Sequence, residues 1–190
     1  MKIRLIEEHE LNTVKSIYDN VIKEMNLRGL YNWNESYPNT EIIFKDISNK
    51  HLYGIEAYGE IVAVATINDY AYDVYNDIAW QVDGPFLSFH RIAVSPSHRG
   101  KGYGRKMIDF VEEMAKEKKC NSIRISAYHK NENAVNLYKN LGYVHVGEMM
   151  SMRDIVEPFL CLEKSIMWLW YEPIYSLNRL WIGFLLLNLH

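Results

Sequence analysis

Cysteine is scarce in this chain, proline is sparse, and neither sign of charge dominates. The two cysteines, Cys120 and Cys161, sit in apolar or strand-like surroundings and lack metal-ligand spacing. A disulfide-rich scaffold is therefore excluded. One disulfide stays open in principle, and two reduced thiols in a cytoplasmic protein are the expectation. With 5 prolines and 10 glycines in 190 residues, no low-complexity linker divides the chain. A formal net charge of −3 gives no reason to expect nucleic acid as a partner. The longest charge-free run, Leu180 to His190, falls far short of the ~20 residues that cross a bilayer. At the N-terminus charge interrupts every apolar run between Met1 and Glu8, so no signal peptide is expected. What is there is 48% hydrophobic, enough for one domain with a substantial core.

Along the chain, residues 2–6 alternate as a first strand. Leu11, Val14, Tyr18, Val21 and Met25 recur at helical spacing within a helix from Glu10 to Met25, which Gly29 ends. Thr40 is placed to cap a short helix from Glu41 to Asn49. Residues 51–57 and 61–67 read as two strands around a Tyr58-Gly59-Glu60 turn. Residues 68–87, rich in aspartate and aromatics, read as a loop leading into a strand over 88–94. Further strands are expected over 122–127, 143–147 and 159–164, with a short helix from Asn131 to Asn140 and Gly142 past its end. Strands and helices that alternate in this way make an α/β domain with a mixed, mostly antiparallel sheet and one βαβ crossover.

Between the central strand and the next helix lies Ser95-Pro96-Ser97-His98-Arg99-Gly100-Lys101-Gly102-Tyr103-Gly104-Arg105. Glycines at alternate positions let a backbone approach a ligand and take positive φ. The unpaired N–H groups of the following helical turn, with the helix dipole, favour an anion there. Arg99, Lys101 and Arg105 add positive charge. This predicts a phosphate or pyrophosphate held at the helix start. Two better-known phosphate loops fit poorly. A dinucleotide fingerprint needs an acidic residue about 20 positions on, at a strand end. A P-loop needs Gly-Lys-Ser/Thr, and Gly100-Lys101-Gly102-Tyr103 lacks that hydroxyl.

The loop, read as Arg99-x-x-Gly102-x-Gly104, resembles the first signature of the GNAT superfamily of acyl-CoA-dependent N-acetyltransferases. Downstream, Asn131-x-x-Ala134-x-x-Leu137-Tyr138-x-x-x-Gly142-Tyr143 is similar to the second. Both occur in the family's order, the resemblance covers residues 1 to about 166, and Trp33 with Tyr37-Pro38, Ile78-Ala79-Trp80 and Leu162-Glu163-Lys164 look like one bacterial branch of uncharacterised members. The resemblance implies a sheet with helices on both faces and a splayed central strand pair, the strands carrying Val94 and Ser126. It implies acetyl-CoA as donor, coenzyme A as product, and a small-molecule or peptide amine as acceptor. Main-chain groups of Ile92, Ala93 and Val94 would pair with the pantetheine arm, and N–H groups from Arg99, Gly100, Lys101, Gly102, Tyr103, Gly104 and Arg105 would hold the pyrophosphate. Asn131 would bond the pantetheine from the other side, and Tyr138 would protonate the departing thiolate. No metal is implied.

Other assignments stay open at this level. For the general base, His90, expected on the same strand face as Ile92 and Val94, stands beside Glu56 and a water relay from the Asp83 region. Tyr138 fits either proton donation or core packing, and Lys101 and Arg105 either the anion or a solvated face. Trp33, Tyr37, Tyr72, Tyr75 and Trp80 could line an acceptor pocket or cap a core. The aspartates and aromatics of residues 69–83 hint at a cationic acceptor, since both groups attract cations. After residue 166 the chain departs from the family pattern, and 167–190 carry three of its five tryptophans. This apolar extension is expected to dock on the domain or pair two protomers in a homodimer, rather than to lie on a membrane. Against the enzyme stands a second reading, a non-catalytic acyl-CoA-binding or regulatory module whose tail recruits a partner.

Overall fold

Apolar residues at alternate positions build strands, and apolar stripes at helical spacing build helices, over most of the expected segments. A computed structural model of the chain describes residues 1–70, 73–150, 155 and 157–166. In order these form β1 (Lys2–Leu5), α1 (Leu11–Leu27), α2 (Thr40–Ser48), β2 (Leu52–Ala57), β3 (Glu60–Asn68), β4 (Phe86–Val94), α3 (Tyr103–Glu117), β5 (Ser122–Tyr128), α4 (Glu132–Asn140), β6 (Val144–Met150) and β7 (Pro158–Ser165). The extension over 167–190, and Tyr72, lie outside the described residues.

Local chemistry sets several element ends. In α1 the buried face is Val14, Ile17, Tyr18, Val21, Ile22 and Met25. For α2 the cap is not Thr40 but Asn39, whose side chain accepts from Ile42 N at 2.9 Å. Both residue types cap well, and the asparagine one position earlier sits where its oxygen reaches the first free N–H groups. Between β2 and β3, Tyr58 and Gly59 both have positive φ (57° and 77°), the two-residue turn whose twist suits a hairpin. Gly142, at φ 85°, lets Tyr143 N bond back to Tyr138 O at 3.1 Å and close α4.

The seven strands form one sheet in the order β1-β2-β3-β4-β5-β7-β6. Only β4 and β5, joined through α3, run parallel. Their register lasts three residues, Phe86↔Ser122, Leu87↔Ile123 and Ser88↔Arg124. Beyond that β4 stays paired to β3 as far as Val94, and β5 to β7 as far as Tyr128. The two strands therefore splay, as the resemblance implied. α1 and α2 cover one face of the sheet, packing on Leu52, Val64, Ala93 and Phe159. The other face carries α3 and α4, over Leu87, Phe89, Ile123 and Ile125.

A bulge in β4 changes which residues face which side. Val64 pairs with Ala93 but Thr66 pairs with His90, so β4 holds one extra residue there, and Arg91 takes φ 51°. Leu87 and Phe89 pack toward α3 and α4, and after the bulge so do Ile92 and Val94. His90 instead shares the face of its partner Thr66, on the α1–α2 side. The expected common face of His90, Ile92 and Val94 is thus corrected: uninterrupted alternation holds only where no residue is inserted.

The segment before β4 is anchored rather than loose. After a single turn of 3-10 helix over Asp73–Tyr75, Trp80 packs edge-on to Tyr75 with centroids 5.5 Å apart. The carboxylate of Glu163 on β7 accepts from Gln81 N at 2.7 Å and Val82 N at 3.1 Å. No helix among the described residues is long and apolar enough to cross a membrane.

Candidate active site

The splay opens a cleft of about 910 Å³, lined from the β4 and β5 strands and from α1, α2, α3 and α4. Ile92, Ala93, Val94, Arg99, Gly104, Asn131 and Tyr138 line it, and so does His90. Sequence reasoning had named each of these. Its volume is at the upper end of the ~300–1,000 Å³ typical of ligand sites.

One wall is a strand edge, beyond Ser88 of β4, that no described residue pairs with. Ser95 N bonds Val62 O at 2.9 Å, so by alternation Ala93 also turns its main-chain groups to β3. Val94 and the carbonyl of Ile92 then face the gap, while the Ile92 N–H belongs to the peptide of the bulge at Arg91. Ala93 meets the cleft through its methyl group instead.

At the end of that wall the glycine loop starts α3. Gly100 and Gly102 have φ 73° and 81°, whereas Gly104 is already helical. Gly104 lies against Val94 and Leu137, where a methyl group would stand 3.8 Å and 4.0 Å from their side chains. The first helical bond from the loop is Lys106 N to Gly102 O at 3.0 Å. Six successive main-chain N–H groups, residues 100–105, consequently have no acceptor among the described residues. Such a row, at the positive end of a fifteen-residue helix, fits a pyrophosphate. Of the three basic side chains, Arg99 reaches the cleft and is ion-paired with Glu24 of α1. Lys101 is exposed, and Arg105, also exposed, bonds Asp109 at 2.7 Å. Neither lines the cleft.

Opposite stands the start of α4. Asn131 caps it, accepting from Ala134 N at 3.4 Å, and its amide nitrogen has no partner among the described residues. On the buried face of α4, Tyr138 packs edge-on to Phe89 and Tyr143, at 5.7 Å and 6.0 Å. Burial pushes its phenol well above the ordinary tyrosine range. Its hydroxyl makes no hydrogen bond among the described residues and borders the cleft.

His90 Nε2 lies 3.3 Å from Asn68 Oδ1. Desolvation first, then the charges of Arg91 and His51, pull its imidazolium down to about 3. The ring is neutral at any ordinary pH, and its conjugate acid is too strong for it to hold a proton well. This depressed value also sets a stability trend. Between pH 6.5 and about 3 the unfolded chain binds the proton and the folded one does not, so stability falls as the pH falls. With water in the cleft tempering the effect, we expect about 1 kcal/mol of loss between pH 6.5 and 5, absent in His90→Gln. Urea midpoints at the two pH values measure it; parallel curves for both proteins would contradict it.

The other base candidates lie elsewhere. Glu56 bonds Arg4 at 2.8 Å, and neither it nor Asp83 lines the cleft. Asp46 is the one carboxylate among the described lining residues, and Arg91 engages it at 2.6 Å. Asp69, Asp73, Asp77 and Asp83 are absent from the described lining, whereas Tyr70 and Tyr75 of the same segment line it, so of the features that hinted at a cationic acceptor only aromatics reach the cleft. Trp33, Tyr37 and Tyr75 do line it, and Trp80 does not. Both cysteines are unpaired, and burial raises the Cys161 thiol to about 12, so neither offers a nucleophile to the cleft.

The model of the acetyltransferase (GNAT) family matches residues 16–143. The chain belongs to that family. It is 38% identical over 71 residues to the thialysine N-ε-acetyltransferase of Sus scrofa, a match covering 37% of this chain and 42% of that relative. It thus spans less than half of the relative's length. A GNAT-family acetyltransferase of Streptococcus agalactiae shares the fold, with a TM-score of 0.74 and 24% identity over 86% of this chain and 94% of that one. So does a Salmonella typhimurium protein whose structure holds its cofactor acetyl-CoA, with a TM-score of 0.63, 16% identity and coverage of 87% and 94%. The GNAT fold accounts for the splay and for both sequence signatures on either side of it.

Proposed function

We propose that this chain moves an acetyl group from acetyl-CoA to a primary amine by direct attack. The observation that carries the reading is the row of six unpartnered N–H groups over residues 100–105, set at the mouth of a gap between two splayed strands. The pyrophosphate of coenzyme A lies on that row, through Arg99, Gly100, Lys101, Gly102, Tyr103, Gly104 and Arg105. Its pantetheine arm pairs with the open edge at Ile92 and Val94, beside Ala93, in the manner of an added strand. Asn131 donates to the arm from the far side. The cavity volume and the Salmonella neighbour's bound cofactor support the same donor.

In the reaction the amine nitrogen attacks the thioester carbon, the N–C bond forms and the C–S bond breaks. The N–H groups of the β4 edge hold the developing oxyanion. Tyr138 gives its proton to the departing thiolate and regains one from solvent. The proton lost by the attacking nitrogen passes to water in the open cleft. His90 acts there as a neutral hydrogen-bonding wall of the acceptor chamber, since its imidazolium is too acidic to store the proton.

Two measurements test this. Acetyl-CoA with a panel of small amines, amino acids and peptides should release free thiol. Tight binding of acetyl-CoA with no release across the panel would instead support a binding module. In Gly102→Val, a branched side chain meets a left-handed backbone and the N–H row must shift, so the Kd for coenzyme A should rise by about tenfold. An unchanged Kd by calorimetry would show that the row does not hold the cofactor.

A further inference from the structure

We propose that Tyr18 of α1, which no motif singles out, is the positioning residue for the main-chain N–H that polarises the thioester carbonyl. The proposal rests on the acetyl-transfer reading above. Its starting point is Arg91, an arginine held at φ 51° inside a strand. L-residues other than glycine visit that region rarely, so the surroundings must hold it there.

Two contacts do so. The side chain of Arg91 is clamped on the α2 side, where Nη2 and Nε bond Asp46 Oδ2 at 2.6 Å and 3.1 Å and Nη1 bonds the Tyr37 hydroxyl at 3.1 Å. The main chain is held separately: Tyr18 Oη donates to the Arg91 carbonyl at 2.9 Å. Tyr18 is 1% exposed and wedged edge-on against Trp33 at 5.7 Å, which holds its hydroxyl against the Arg91 carbonyl, with the Thr66 side chain beside it.

The second contact decides the direction of a dipole. Arg91 C=O and Ile92 N–H belong to one planar trans peptide and point in opposite directions. With the carbonyl fixed toward α1, the Ile92 N–H is turned away from α1, on the side of the cleft that Ile92 lines. Were this peptide to flip, a carbonyl oxygen would face the thioester oxygen, and attraction would become repulsion. One phenol hydroxyl, 73 residues away in sequence, thus sets which end of the peptide the substrate meets.

The test is Tyr18→Phe, which keeps the ring and removes only the donor. Carbonyl-labelled acetyl-CoA is bound to each protein and its thioester C=O band followed by difference infrared spectroscopy. In the wild type the band should move to lower frequency. In Tyr18→Phe the shift should shrink, kcat with the best amine of the panel should fall about tenfold, and KM for acetyl-CoA should stay within about twofold. Asp46→Asn, which weakens the hold on the Arg91 side chain and on the Thr66 hydroxyl but leaves the Tyr18 donor in place, should show the same signature at smaller amplitude. A full shift and full kcat in Tyr18→Phe would overturn the role. So would loss of acetyl-CoA binding in both variants, which would make the network structural. Failure of the wild type itself to bind acetyl-CoA would bring down the acetyl-transfer reading as well, and so is distinguishable.

Discussion

Replacing Tyr138 by phenylalanine is expected to slow thiol release at pH 7 by about 100-fold, the lower end of what a positioned general acid supplies. The Kd for coenzyme A should stay within about twofold, because the proposed contacts to the cofactor are those of the glycine loop, Asn131 and the β4 edge. The reason for the large effect is the leaving group. A thiolate departs into a cleft where burial disfavours charge, and Tyr138 borders that cleft with a hydroxyl that no described residue engages. Its raised pKa keeps the phenol protonated throughout the neutral range, so no alkaline loss of rate assignable to it is expected below about pH 10. The ring's edge contacts with Phe89 and Tyr143 survive in the phenylalanine variant, so the fold should too. If coenzyme A binding collapses along with the rate, Tyr138 is a packing residue and the donor role is wrong.

The second large effect falls on stability. Glu163 is 3% exposed, and its carboxylate accepts from Arg124 Nε at 3.0 Å as well as from Gln81 and Val82 N–H. Arg124 in turn lies between Trp80 and Phe86, 4.7 Å and 4.3 Å from their ring centres. One carboxylate thus ties β7, β5 and the segment before β4 together. Glu163→Ala leaves Arg124 as an uncompensated charge with a side chain only 12% exposed. That should cost about 3–5 kcal/mol. Glu163→Gln, which keeps an acceptor, should cost less. Urea unfolding measures both, and a loss under about 1 kcal/mol for the alanine variant would mean that solvent replaces the carboxylate freely.

Much of the fold was legible because its signals are short. The stripe of α1, the hairpin at Tyr58-Gly59 and the end of α4 at Gly142 each depend on a few neighbouring residues and their allowed φ. The glycine loop was legible for the same reason: Gly100 and Gly102 are left-handed where a side chain would be strained. Misassignments arose where two local signals competed or a distant partner decided. Asn39 and Thr40 are both good caps, and only the chain's path showed which oxygen reaches Ile42 N. His90 was put on the wrong face because the inserted residue in β4 shows only against β3.

By itself, then, the sequence determined the alternation of strands and helices, the left-handed glycine loop before α3 and the pairing of that loop with the Asn131–Gly142 motif. These follow from backbone preferences and spacing within one element. Only the tertiary structure decided that β4 and β5 part after three residues, that Arg91 is turned left-handed against Asp46, and that Tyr18 holds its carbonyl. Asp46 lies 45 residues from Arg91 and Tyr18 lies 73 residues away, and a contact at such separation leaves no periodicity in the chain. It forms because buried polar groups must find partners inside the fold, and Arg91, Asp46, Tyr37, Thr66 and Tyr18 supply them to one another.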